Sequence, residues 1–135
     1  MKKKNNIILV TGGTGRFAKC LKKIKSRYKF IYPSKNLFDI TSTKKMKKYL
    51  AKIKPKSILH LAGLSRPMNI HDKKINKSIN LNIVGTANIV QICSELKIKL
   101  IYFSSSYVYP GTKGNYKETD SLMPWNNYKP LCQIR

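Results

Sequence analysis

The chain has 135 residues, enough for one domain with a genuine core but too few for a cofactor domain plus a separate substrate domain. Twenty-eight Lys and Arg against five Asp and Glu give a net charge of +23, which encourages loose polyanion binding at low salt. Three scattered cysteines indicate neither a disulfide framework nor a zinc site, and no apolar run reaches the length of a signal-peptide core or a membrane span.

The expected compartment is therefore the cytoplasm, with no membrane partner. The charge itself reads mainly as composition. Twenty-four of the basic residues are Lys, and Lys, Asn and Ile make up 51 of the 135 positions, the mixture an A/T-rich genome produces. Arg, the better bidentate reader of phosphate and guanine, occurs only at Arg16, Arg27, Arg66 and Arg135, and no specific nucleic-acid partner is expected.

In chain order, Asn6–Thr11 reads as a strand running into Gly12-Gly13-Thr14-Gly15, and then a helix with Phe17, Leu21 and Ile24 on one face. A strand, a glycine-rich turn and a helix start together form a dinucleotide-binding pattern. Glycines let a pyrophosphate approach the backbone, and free N–H groups at the helix start hold the anion. Lys29–Tyr32 reads as a short second strand closed by Pro33. Ser42–Lys54 reads as a helix with Met46, Tyr49, Leu50 and Ile53 as its buried stripe, the Lys residues at 44, 45, 47 and 48 on its solvated face, and Pro55 as its stop. Ser57–Ala62 has the near-continuous apolar character of a strand buried on both faces.

A long helix is predicted over Lys73–Leu96, its stripe formed by Ile75, Ile79, Ile83, Ala87, Val90 and Cys93. Lys99–Ser104 is the next strand, followed by a Gly/Pro/Asn-rich loop to about Asn127. Strands alternating with helices predict an α/β fold, a doubly wound parallel sheet of about four or five strands. His60 reads as a satisfied core histidine and His71 as solvated. Tyr107, Tyr109 and Tyr116 read as packing residues, and Trp125 as a wall of the site.

Three further strings fall where the carboxyl ends of these strands cluster: His60-Leu61-Ala62-Gly63, Asn82-Ile83-Val84-Gly85-Thr86, and Phe103-Ser104-Ser105-Ser106-Tyr107-Val108-Tyr109. With the glycine turn, and in this order and spacing, the chain from about residue 6 to 128 resembles the extended short-chain dehydrogenase/reductase family. It is most similar to the nucleotide-sugar epimerase, dehydratase and reductase group that includes dTDP-4-dehydrorhamnose reductase-like proteins.

The resemblance implies a Rossmann domain binding NAD or NADP and a nucleotide-sugar substrate, with a homodimer possible for the full-length enzyme. It implies that Gly12, Gly15 and Ala18 line the pyrophosphate, with Thr14, Arg16 and Phe17 beside it. Asp39 and Ile40 would contact adenine, Leu61, Ala62 and Gly63 would pass along the adenosine ribose and the middle of the cofactor, and Ser104 would border the cofactor. Asn82 would hold the floor of the site. Ser105 would hydrogen-bond the reacting sugar oxygen, and Tyr128 would exchange a proton with it while hydride moves. No metal is implied. The segment Pro33-Ser34-Lys35-Asn36 has no acid to take a ribose 2′-OH, and Lys35 with Arg16 could neutralise a 2′-phosphate, so NADP is slightly favoured.

The pattern departs from the family after Tyr128. The family's Tyr-x-x-x-Lys places a lysine one helical turn on, where its charge lowers the tyrosine pKa; here that position is Cys132. Residues 129–135 therefore read as a divergent tail, from a frameshift or a premature stop. The expectation is the amino-terminal part of a longer enzyme, without the substrate lobe and inactive as it stands. A non-catalytic NAD(P)-binding regulatory or sensor module is the alternative, and a basic nucleic-acid binder a more distant one.

Overall fold

A computed structural model describes residues 6–65, 67, 69–104, 108–111 and 114–122. The chain divides into two compact units, residues 1–103 and 104–135.

The first unit holds the sheet. Strands β1 (Ile7–Thr11), β2 (Lys29–Ile31), β3 (Ser57–His60) and β4 (Lys99–Tyr102) form a four-stranded sheet in the order β2-β1-β3-β4, every neighbouring pair parallel. The chain leaves β1 for β2 on one side and later returns past β1 to β3 on the other. The carboxyl ends of β1 and β3 therefore flank a topological switch point, where open α/β sheets bind ligands.

Alternation along the strands sorts the core. Leu9 and Ile58, partners in the β1–β3 register, are buried in one cluster with Phe38, Ile40 and residues of helices α2 (Thr43–Ile53) and α5 (Gly85–Glu95). Val10 and Leu59, the next pair, are also buried but point to the other sheet face. Helix α1 (Arg16–Leu21) has six residues, of which only Ala18 is buried.

The sequence dictates the ends of α2. The Ser42 hydroxyl accepts the Lys45 N–H as an N-cap, and Lys54 takes a left-handed conformation (φ 47°) directly before Pro55. Met46 and Leu50 are buried, whereas Tyr49 packs from the margin of the core and Ile53 is half-buried. At the other end of the fold, the Lys97 N–H donates to the Ser94 carbonyl and the Ile98 N–H to the Cys93 carbonyl. This reverse turn, with Lys97 at φ 52°, closes α5 and sends the chain straight into β4.

Two helices differ from the periodicity reading. Helix α1 stops at Leu21, so Ile24 lies beyond it and is exposed, while Phe17 turns to the ring of Phe103 at 4.8 Å. The long helix over 73–96 is broken into α3 (Ile70–Lys73), α4 (Ile75–Ile79), a π-helical turn (Asn80–Val84) and α5. Lys74 leaves helical geometry (φ −136°, ψ 56°), and the π turn adds a residue to its own turn. Each break rotates the next helical segment about the axis, so of the stripe extrapolated at one period only Cys93 is buried. Ile75, Ile79, Ile83 and Val90 are 42–64% exposed, and the buried residues of α5 are Gly85, Ile89, Ile92 and Cys93. Gly85 packs closely there: a Cβ would come within 2.7 Å of the Ile40 side chain, which would have to shift.

Burial pushes the Cys93 thiol up to about 11, whereas Cys20 is exposed. Native labelling at pH 7.5 with a maleimide is therefore expected to modify Cys20 and spare Cys93 until the chain unfolds. Mass mapping of the labelled peptides checks this, and fast labelling of native Cys93 would contradict its burial.

In the second unit, the rings of Tyr109 and Tyr116 stack at 4.8 Å, and the Tyr109 hydroxyl donates to the Lys117 carbonyl at 3.2 Å. Both tyrosines are packing residues, as the sequence reading has them. No described helix is long and apolar enough to cross a membrane.

Candidate dinucleotide site

At the carboxyl ends of β1, β2 and β3 lies an open cleft of about 490 Å³. Its floor is the glycine turn. Gly12 has φ +69°, and a Cβ there would sit 2.8 Å from the Leu61 carbonyl and the Ala62 nitrogen. The glycine is thus required by the packing of β1 against the chain leaving β3, before any ligand is considered. The Gly15 N–H closes the turn on the Gly12 carbonyl at 2.9 Å, and α1 begins without a side-chain cap in its first turn.

A buried polar relay holds these two chain segments together. The Thr11 Oγ1 accepts the N–H groups of Leu61 (3.1 Å) and Ala62 (3.0 Å), which fills its acceptor capacity. Its own hydrogen therefore goes to His60 Nδ1 at 2.8 Å, leaving His60 Nε2–H to donate to the Thr86 Oγ1 at 3.2 Å. These bonds admit one state of His60, the neutral Nε2–H tautomer. Burial pushes its pKa in the same direction, below the usual imidazole value. Tyr102 stacks on the ring.

Asn82 performs the matching task one turn along. Its Oδ1 accepts the Leu64 N–H at 2.7 Å and its Nδ2 donates to the Leu64 carbonyl at 2.9 Å, fastening the β3 loop to the π turn.

Among the residues singled out in the sequence, Gly12, Thr14, Lys35, Asp39 and Ile40 line the cleft, as do Ala62 and Gly63. Gly15, Arg16, Phe17, Ala18 and Leu61 lie outside its wall: Ala18 is buried beneath the turn and Arg16 is exposed at the start of α1. Ser104 belongs to the second unit. Ser105 and Tyr128 lie outside the described residues.

The sequence reading missed four wall residues that matter: Thr11, Lys22, Tyr32 and Leu81. Tyr32 and Lys22 carried no motif signal. Thr11 had one, as the polar residue ending an apolar strand just before the glycines. Tyr32 has the one buried side-chain polar atom without a hydrogen-bond partner among the described residues, its hydroxyl, and burial raises its pKa.

Asp39 is the acid of the cleft, and its Oδ1 accepts both the Thr41 N–H (3.0 Å) and the Thr41 hydroxyl (2.7 Å). Burial works to raise its pKa, but the Thr41 bonds together with Lys35 and Lys45 outweigh burial and hold it below the usual carboxylate value. Among the described residues, no group of three or more His, Cys, Asp or Glu is placed to hold a metal.

A parallel sheet in this order, with a glycine turn leaving β1 at the switch point and a second loop from β3 bolted to it, is a doubly wound, Rossmann-like α/β domain. The chain belongs to the family described as RmlD substrate binding domain, whose profile matches residues 6–130. It is 30% identical over 132 residues to methionine adenosyltransferase 2 subunit beta of Xenopus laevis, covering 89% of this chain and 38% of the relative. It is 28% identical to UDP-glucose 4-epimerase of Mycoplasma genitalium, covering 99% of this chain and 41% of that protein. The fold matches that of dTDP-4-dehydrorhamnose reductase from Bacillus anthracis, solved in complex with NADP, with a TM-score of 0.72 at 23% identity over 84% of this chain and 41% of the reductase. The chain thus spans about two fifths of the length of these relatives.

Proposed function

We propose that this chain is the NAD(P)-binding part of an enzyme that reduces, epimerises or dehydrates a nucleotide-sugar. The observation that carries the reading is the cleft itself. A glycine turn, the end of β2 and the β3 loop meet at the switch point around a space lined by Gly12, Thr14, Asp39, Ile40, Ala62 and Gly63. The relatives include a UDP-glucose 4-epimerase, and a protein of the same fold is a reductase solved with NADP, which supports both the cofactor and the substrate class.

The residues present fit a dinucleotide. The turn brings backbone rather than side chains to the floor, and the Tyr32 hydroxyl stands in the wall without a partner. Bound there, NAD(P) supplies or accepts hydride. In this proposal Asp39 and Ile40 border adenine, the glycine turn with Thr14 borders the pyrophosphate, and Ala62 and Gly63 border the central part of the cofactor. Ser105 orients the sugar oxygen that reacts, and Tyr128 exchanges a proton with it.

A phenol with pKa near 10 is a weak base at neutral pH unless a cation stabilises its anion. With Cys132 four residues after Tyr128, that cation is missing from its expected position. Fluorescence or calorimetric titration of purified 1–135 is therefore expected to give saturable binding of NADPH or NADH, with no detectable oxidation of NADPH in the presence of dTDP-4-keto sugars. Absence of binding for both nucleotides would sink the cofactor reading, and measurable turnover would sink the assignment of inactivity.

A second reading is a non-catalytic NAD(P)-binding regulatory module. Two observations favour it: Cys132 at the lysine position, and similarity to a protein named as a subunit of a methionine adenosyltransferase. Retained cofactor affinity with no turnover in any extended form of the chain would move the balance to it.

A further inference from the structure

We propose that Lys22 is a specificity-determining residue of the cleft: with Ser34 and Lys35 it binds a phosphate on the adenosine 2′ position, so that the chain prefers NADP(H) to NAD(H). The inference rests on the dinucleotide reading above.

Lys22 stands just past the end of α1, and nothing in its sequence neighbourhood marks it. The fold carries its ammonium back over the turn, where it donates to the Gly13 carbonyl at 2.9 Å and lies 4.7 Å from the centre of the Tyr32 ring. An ammonium has three donors, so two remain for an incoming anion. A lysine already anchored by a carbonyl and an aromatic face loses less freedom on binding than one free in solvent. Ser34 and Lys35, from the chain leaving β2, line the same cleft.

The acid that would favour a 2′-hydroxyl is missing. The run Tyr32-Pro33-Ser34-Lys35-Asn36 that leaves β2 contains none. The cleft wall therefore offers the ammonium groups of Lys22 and Lys35 and the hydroxyl of Ser34. A phosphate dianion satisfies that set, and a neutral ribose hydroxyl leaves the charges uncompensated. Arg16, the cation that the motif suggests, lies outside this wall, and Lys22 stands in its place.

The test is calorimetric titration of the chain and of Lys22→Met, Lys22→Arg, Lys35→Met and Lys48→Met with NADPH, NADH and adenosine 2′,5′-bisphosphate. Thermal melts verify that each variant is folded. Lys48 is an exposed position of α2 outside the cleft, and its variant controls for the high overall charge. Tighter binding of NADPH than NADH is expected. Lys22→Met should weaken NADPH and the bisphosphate roughly ten- to a hundred-fold, the worth of a hydrogen bond to a charged group, with NADH almost unchanged. Lys35→Met should act in the same direction, Lys22→Arg should retain most of the affinity, and Lys48→Met should change neither nucleotide.

Equal affinity of the unsubstituted chain for NADPH and NADH overturns the inference alone, as does an equal loss for both nucleotides in Lys22→Met. Failure of every nucleotide to bind overturns the cofactor reading and the inference with it.

Discussion

Alanine at position 12 is expected to lower the stability of the chain by about 2–5 kcal/mol and to remove measurable NADPH binding. Two separate costs add. A residue with a side chain in the left-handed region costs roughly 1–2 kcal/mol, and Gly12 sits there at φ +69°. The new Cβ would also stand 2.8 Å from backbone atoms of Leu61 and Ala62, which cannot rotate away as a flexible side chain could. Forcing such a contact apart costs about 1–3 kcal/mol. Because the displaced segment is the β3 loop, the damage falls on the wall of the cleft as well as on stability. Urea unfolding and nucleotide titration of Gly12→Ala measure both effects. A variant with an unchanged urea midpoint and unchanged affinity would show that the turn and the β3 loop do not depend on each other.

The Thr11–His60–Thr86 relay is expected to have the next largest effect. Thr11→Val preserves shape but leaves the N–H groups of Leu61 and Ala62 and the Nδ1 of His60 without a partner. At about 1–3 kcal/mol for each buried group left unpaired, a loss of at least 3 kcal/mol is expected, and Thr11→Ser should recover most of it.

The same relay makes stability depend on pH. His60 is neutral in the fold and its pKa is lowered by burial, so in the window between its folded value and the unfolded value near 6.5 the unfolded chain binds more protons. Stability is therefore complete above about pH 6.5 and falls as the pH drops below it. Asp39 adds a loss of the same sign only below the ordinary carboxylate range, where its lowered pKa comes into play. Urea midpoints at pH 7.5 and 5.5 should differ for the parent chain and converge for His60→Asn, measured against its own lower baseline. A parent chain equally stable at both pH values would contradict the neutral His60 assignment.

Helix α2 was legible to the residue because everything that shapes it is local: a serine cap, a stripe at spacings of three and four, and a proline stop. The four strands were legible for a similar reason, since short apolar runs bounded by turn residues have few other uses. The segment from Ile70 to Glu95 was not. Its apolar residues fit one continuous helix, but the break at Lys74 and the π turn at Asn80–Val84 change the phase between them. The break at Lys74 has no Gly or Pro beside it, and the π turn has only Gly85, just past its end. Asn82 in that turn is fastened to Leu64, eighteen residues earlier, a contact that no window along the chain contains.

The site divides along the same line. The sequence alone determined that a strand, a glycine turn and a helix would present backbone at one end of a parallel sheet, because glycine spacing and alternation are properties of neighbours. Which cations reach the cleft was decided by tertiary structure. Arg16, beside the motif, lies outside the cleft wall, whereas Lys22, six residues on, swings back to the Gly13 carbonyl and the ring of Tyr32. A lysine stem is long and flexible, so the place of its charge depends on what the fold provides within reach, and here that is a carbonyl and an aromatic face supplied by the turn and the end of β2.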